Sequence, residues 1–209
     1  MKDHKSIPVL AGVQKDHYNS QMCNFENRYE KTFYKELMDL ADQVISGKCE
    51  KRYIFLLGTP GSGKTHFLTS LFRSKVQADD GVIGAQHALY MCFGNLVQEI
   101  IAGFSDSHST RIGLAPYLTA DWLFLDDISR GEKIIDANKI EGQILREVLL
   151  SRWEDCRHLV ATANYDAITL RRLLNTVYGS YVLSRVMGSS IFIEFPKADW
   201  RTEKYPKKK

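Results

Sequence analysis

The chain has 209 residues, with 44% apolar and 25% charged residues and a formal net charge of +3. That is one domain with a short extension at most, and enough apolar and charged surface to build and solvate a single core. The balance excludes nucleic-acid binding by bulk charge alone, though clustered basic residues would still permit it. The first ten residues, MKDHKSIPVL, lack the apolar core of a signal peptide. No stretch reaches the ~18 apolar residues of a membrane span. Four scattered cysteines, Cys23, Cys49, Cys92 and Cys156, form no C-x-x-C pair and match no zinc spacing. They read as reduced, mostly buried thiols of a cytoplasmic protein. With no signal peptide and no span, the chain is expected to be soluble, intracellular and without a membrane partner, in a bacterium or a bacterial virus.

Residues 1–23 are polar and without period, so they are expected to form a flexible arm, free or docked on a partner. Tyr29, Phe33, Leu37, Leu40, Ala41 and Val44 recur at helical spacing and predict a helix over 26–46, stopped by Gly47. Tyr53 to Leu57 is a short apolar run followed at once by Gly58, which predicts a buried strand. Phe67, Leu68, Leu71 and Phe72 mark a helix over 64–76, and Asp79-Asp80-Gly81 a turn. A strand over 88–92 and a helix over 95–104 follow, the helix turning Leu96, Val97, Ile100 and Ile101 inward. A polar loop covers 105–110. Further strands are predicted at 122–125, 158–162 and 191–195. Helices are predicted at 137–154, on Ile140, Ile144, Val148 and Leu149, and in two pieces at 170–177 and 181–187. A basic tail closes the chain. Strands alternating with helices predict an α/β fold with a mainly parallel sheet, whose ligands bind at the carboxyl ends of the strands.

Two motifs fall at such ends. Gly58-Thr59-Pro60-Gly61-Ser62-Gly63-Lys64-Thr65 satisfies the pattern G-x-x-x-x-G-K-[ST] in full. The glycines let backbone N–H groups turn inward around phosphates, and the next helix adds its positive N-terminal end. Pro60 stiffens the loop. Lys64 offers a point charge to the β- and γ-phosphates, and the Thr65 hydroxyl a ligand to Mg2+, so the loop predicts ATP binding with magnesium. A chance match in ~200 positions has odds of roughly one in a hundred. Leu123-Phe124-Leu125 ends in Asp126 and Asp127. Asp126 is placed to support the magnesium ion, and Asp127 to orient or deprotonate an attacking water. Alone, two acids at a strand end are as readily a polar surface feature.

The strand at 158–162 leads to Asn164, whose amide either holds the lytic water or caps the next helix, a job Asp166 can also fill. Leu183-Ser184-Arg185 carries an arginine that either faces solvent or stabilises phosphoryl charge, often across a subunit boundary.

In this order and spacing, the four elements resemble an AAA+ ATPase. Further details narrow the likeness: His66 after Thr65, Asp-Asp at 126–127, Asn24-Phe25-Glu26-Asn27 before the first helix, Leu183-Ser184-Arg185-Val186, and Asp199-Trp200-Arg201 after the fifth strand. Together they resemble the DnaC-type helicase loaders and the transposition helper IstB over about residues 24–201. The resemblance implies a five-stranded sheet sandwiched by helices, without a C-terminal lid domain. It implies Asp127 as the base, Asn164 as sensor, Arg185 as a finger into a neighbouring subunit, and P-loop contacts from residues 58–66. It also implies an ATP-dependent homo-oligomer on single-stranded DNA with a replicative helicase as partner, or on duplex DNA in the transposition branch.

The chain departs from the loaders in its short arm and in Ala161-Thr162-Ala163-Asn164, where paired threonines are usual. Where loaders place a DNA-contacting insertion, it offers Phe104, Ser109, Thr110 and Arg111. The role of Arg201 is open, and the Lys207-Lys208-Lys209 tail with Tyr205 is either a nucleic-acid contact or a solvated charge run. Two rival readings are a small-molecule P-loop kinase, for which no arginine-rich lid is seen, and a scaffold that binds ATP but hardly hydrolyses it.

Overall fold

The computed structural model describes residues 13, 17, 19–22, 29–79, 87–103, 110–129 and 139–200, with backbone alone at 110–112. The elements run α1 (Lys31–Ile45), β1 (Tyr53–Leu57), α2 (Lys64–Ala78), β2 (Ala88–Cys92), α3 (Phe93–Gly103), α4 (Thr110–Thr119), β3 (Trp122–Asp126), α5 (Ile140–Glu154), β4 (His158–Ala163), α6 (Ala167–Gly188) and β5 (Ser190–Glu194). The strands form one sheet in the order β2-β3-β4-β1-β5. Every pairing is parallel, with Leu57 level with Ala163 and Glu194, and Cys92 level with Asp126.

The sheet separates two cores. Tyr53, Phe55, Leu57, Leu123, Leu125, Leu159 and Ala161 face one side, with α3, α4, α5 and α6. Ile54, Leu56, Phe124 and Val160 face the other, with α1 and α2. Strands β1 and β3 are therefore buried at every position. This is why they read as unbroken apolar runs rather than as alternating ones. Each fully buried Leu or Phe contributes about 1.5–3 kcal/mol.

α1 buries Leu37, Leu40, Ala41 and Val44 at helical spacing. Gly47, at φ 69°, lets the Lys48 N–H bond the Gln43 carbonyl at 2.9 Å and its own N–H bond Val44 at 3.2 Å. That pair of bonds is a Schellman stop. α5 carries Arg152, fully buried, whose guanidinium donates to the carbonyls of Tyr117 (2.7 Å), Leu118 (3.4 Å), Asp121 (3.2 Å) and His158. It ties the end of α4 to the starts of β3 and β4, away from the strand ends that carry the motifs.

Several expectations change. α1 begins at Lys31, not at 26, with 23–28 outside the described residues. Ile101 is 48% exposed, because α3 starts at Phe93 and its stripe Phe93, Leu96, Val97 and Ile100 is complete without it. α4 was not expected at all, since Pro116 sits inside it, on its exposed face. The two pieces of the last helix run together as α6, with Gly179 at φ 78°, ψ 173° breaking the helical backbone between them. Of the described thiols only Cys49 is buried, while Cys92 is half-buried and Cys156 exposed. Among the described residues no helix is long and apolar enough to cross a membrane. Asp80-Gly81, Phe104, Ser109, Arg201 and the tail lie outside the described residues, as do the side chains of Thr110 and Arg111.

Candidate active site

The strand order sets β4 between β1 and β3, so the ends of all three meet. After β1 the loop turns through Gly58, Gly61 and Gly63, with φ of 138°, 81° and 99°. Gly61 stands at φ 81°, and a Cβ there would lie 2.1 Å from Asp199 Oδ1 and 3.2 Å from its Cα, so a larger residue would be strained and would displace the Asp199 side chain where the segment after β5 crosses the loop. Lys64 opens α2 and is buried. Its Nζ donates to the carbonyls of Gly58 and Thr59, each at 2.8 Å, and lies 3.4 Å from Ser62 Oγ. The ammonium thus sits over the mouth of the glycine loop.

Thr65, one residue on, donates from Oγ1 to Asp126 Oδ1 at 3.0 Å. Thr162 of β4 donates to the same oxygen at 2.6 Å, and the Tyr90 hydroxyl lies near this carboxyl. Asp126 is 3% exposed. Burial pushes its carboxyl above the usual carboxylate range; the three hydroxyls pull the other way, and neighbouring Asp127 adds a smaller upward push. A cation beside it would favour the charged form.

Asp127 has left the strand and adopts φ 53°, a left-handed conformation that aspartate tolerates better than most residues. Its N–H donates to Thr162 Oγ1 at 2.8 Å. Its Oδ1 accepts from Asn164 Nδ2 at 3.3 Å and from Ser129 Oγ at 2.6 Å. The Asn164 N–H in turn bonds Ser129 Oγ at 3.1 Å. The helix cap is Asp166, which accepts from the Thr169 N–H at 2.7 Å. Capping thus falls to Asp166, and the Asn164 side chain meets Asp127 instead.

A cleft of about 360 Å3 joins Lys64, Thr65, His66, Asp126, Asp127 and Asn164. Sequence reasoning missed other walls of it: Thr162, Cys92, Trp200 and His17. Trp200 N–H bonds Gly61 O at 3.1 Å, and its ring meets Tyr29 edge-on at 5.8 Å. Tyr29 itself donates to Ser62 O at 2.6 Å. His17 meets His66 edge-on at 6.3 Å, and His66 Nε2 lies 3.4 Å from Gln21 O. His17 and Gln21 of the N-terminal arm thus lie against His66 beside the P-loop, and Val13 and Ser20 are buried. Only the Asp199-Trp200 pair after the fifth strand hinted at this. Arg185 is not among the residues lining the cleft. Its guanidinium lies over the rings of Tyr181 (3.2 Å) and Trp153 (4.7 Å).

No family model and no curated protein matches the sequence. Solved structures do match the fold. The structure of a DnaC helicase loader superposes with a TM-score of 0.67 at 14% identity, over 87% of this chain and 99% of that one. The fold is the AAA+ core. A DnaI structure gives 0.66 at 16% identity, over 87% and 93% of the two chains. The DnaA initiator bound to AMPPCP and single-stranded DNA gives 0.61 at 15%, over 88% of this chain but half of that one. Among these solved structures the DnaC and DnaI chains are thus covered nearly end to end, and DnaA over only half of its length.

Proposed function

We propose that this chain binds ATP with magnesium in the cleft, hydrolyses it, and serves as a DNA-replication accessory ATPase of the helicase-loader kind. The observation that carries the reading is the meeting of three strand ends. Lys64 and Thr65, Asp126 and Asp127, and Asn164 reach one cleft and are hydrogen-bonded through Thr65–Asp126 and Asn164–Asp127.

The residues fit a magnesium nucleotide. Among the described residues no group of three or more His, Cys, Asp or Glu could hold a metal by itself. Magnesium on a nucleotide asks for no such cage, since it keeps waters and phosphate oxygens and takes one or two protein ligands. Thr65 and Asp126 would hold it, and when bound it would neutralise phosphate charge. Lys64 exchanges its two loop carbonyls for phosphate oxygens. The loop N–H groups and the start of α2 hold the phosphates in place. Asp127 accepts the proton of the attacking water and Asn164 orients it. Arg185, outside its own cleft, is assigned to the phosphates of a neighbouring subunit, which makes the homo-oligomer the active form. Residues 24–201 are the ATPase core, the 1–23 arm is assigned to partner docking, and 202–209 form a basic tail. The proposed ligand of the assembly is single-stranded DNA, and its partner a replicative helicase.

The test is ATP turnover with and without single-stranded and duplex DNA, with oligomeric size measured beside it. Weak basal turnover, stimulation by single strands, and assembly on ATP addition are expected. Asp127→Asn should lower turnover by about a hundredfold, the usual worth of a positioned base, while still binding ATP. Full turnover in that variant would remove Asp127 as the base. Helicase absent from co-purification with and without ATP would remove the loader assignment. Filaments on duplex DNA would favour the transposition-helper reading.

A further inference from the structure

Ser129 lies two residues beyond Asp127, in the turn that follows β3, and is fully buried. A buried hydroxyl must find partners, and it has two. It accepts from the Asn164 N–H at 3.1 Å, which leaves its single proton for Asp127 Oδ1 at 2.6 Å. The same Oδ1 accepts from the Asn164 side-chain amide at 3.3 Å. One carboxylate oxygen thus holds two donors, and Oδ2 is the oxygen left to meet water. The two donors differ in what they can do. Asn164 lines the cleft, where a γ-phosphate or water can compete for its amide. Ser129 is sealed beneath, on the backbone of Asn164, and nothing that enters the cleft can replace it.

We infer that Ser129 is a positioning residue for Asp127. It holds the carboxylate in place from below, so that Asn164 can change partners during turnover without releasing the base. Asp127 itself stands at φ 53°, a left-handed conformation that persists only where its surroundings hold it, and Ser129 is one of those partners. The inference rests on Asp127 acting as the base.

Four proteins test it: wild type, Ser129→Ala, Asp127→Asn and the double variant. Single-turnover hydrolysis of labelled ATP and the Kd for magnesium ATP are measured for each. Ser129→Ala should cut the rate about tenfold or more, since misplacement of a catalytic group is costly, with Kd changed less than about twofold. In the Asp127→Asn background the same substitution should add nothing, because its effect passes through Asp127. Ser129→Cys keeps the volume and a weaker donor, and should fall between wild type and alanine.

A merely structural serine would lower Kd affinity and rate together, or leave both alone, and either result overturns the inference. So would an equal rate loss in both backgrounds. If Asp127→Asn turns over like wild type, the base assignment itself has failed. If Asp127→Asn is impaired while Ser129→Ala is not, only the role of Ser129 has failed.

Discussion

Thr162→Val removes one oxygen and changes the shape of the side chain little. In the native structure that hydroxyl accepts from the Asp127 N–H at 2.8 Å and gives its one proton to Asp126 Oδ1 at 2.6 Å. Both bonds vanish together. A hydrogen bond to a charged group is worth about 1.5–3 kcal/mol, and a backbone N–H left without a partner costs about 1 kcal/mol more. A loss of about 2–4 kcal/mol follows. With a urea m-value of about 2 kcal/mol/M, the midpoint moves down by roughly 1–2 M. Thr162→Ser keeps the hydroxyl and loses one methyl, so it should lose only about 1 kcal/mol. Urea unfolding followed by circular dichroism reads both, and unchanged m-values would show a change in stability with the surface exposed on unfolding unaltered. A loss under about 0.5 kcal/mol in the valine variant would refute the reasoning. It would mean that Asp126 and the Asp127 amide do not depend on this hydroxyl. Magnesium ATP affinity should fall in the valine variant and hold in the serine one, because Asp126 is the carboxyl assigned to the ion.

Gly61→Ala sets a Cβ 2.1 Å from Asp199 Oδ1 at φ +81°; the backbone alone costs about 1–2 kcal/mol, and weaker ATP binding should accompany a lower unfolding midpoint. Arg152→Met strips four carbonyls of a buried donor and should destabilise by about 3 kcal/mol or more. Arg157→Ala, whose ion pair with Asp121 at 2.9 Å is partly exposed, should change the unfolding free energy by under about 1 kcal/mol. His158 stacks on Trp122 at 4.0 Å, and its Nε2 lies 3.2 Å from Cys49 O. Burial holds its pKa below the usual range; the bond to Cys49 opposes this, while Arg152, Arg52 and Lys75 reinforce it. The unfolded chain takes up this proton near pH ~6.5, so the contribution is whole above that value and is lost as pH falls toward the lowered native one. Unfolding between pH 7 and 5 should therefore weaken wild type more than His158→Phe, which keeps the stacked ring.

The chemical motifs were legible because each is local. Gly58 to Thr65 is continuous, and Leu123-Phe124-Leu125-Asp126-Asp127 joins a buried run to its acids. β1 and β3 were legible because strands buried at every position read as unbroken apolar runs. α4 was not, because Pro116 argues against a helix and only its place on the exposed face lets the helix keep it. Ile101 was misplaced because Ile100 and Ile101 are equal as residues, and the start of α3 at Phe93 decides which one turns inward. Thr162 and Ser129 passed unnoticed because a hydroxyl residue carries no signal until its partners are known.

By itself, the sequence determined that a glycine loop with a lysine and two acids each stand at a strand end, and that helices alternate with strands. These follow from residue type and near-neighbour spacing. Only the tertiary structure decided that β4 lies between β1 and β3, and so that Asn164 meets Asp127 while Asp166 caps α6. It alone brought Tyr29, Trp200 and His17 to the P-loop from opposite ends of the chain. Such contacts join residues far apart in sequence, and their geometry is set by how the two cores pack on the sheet.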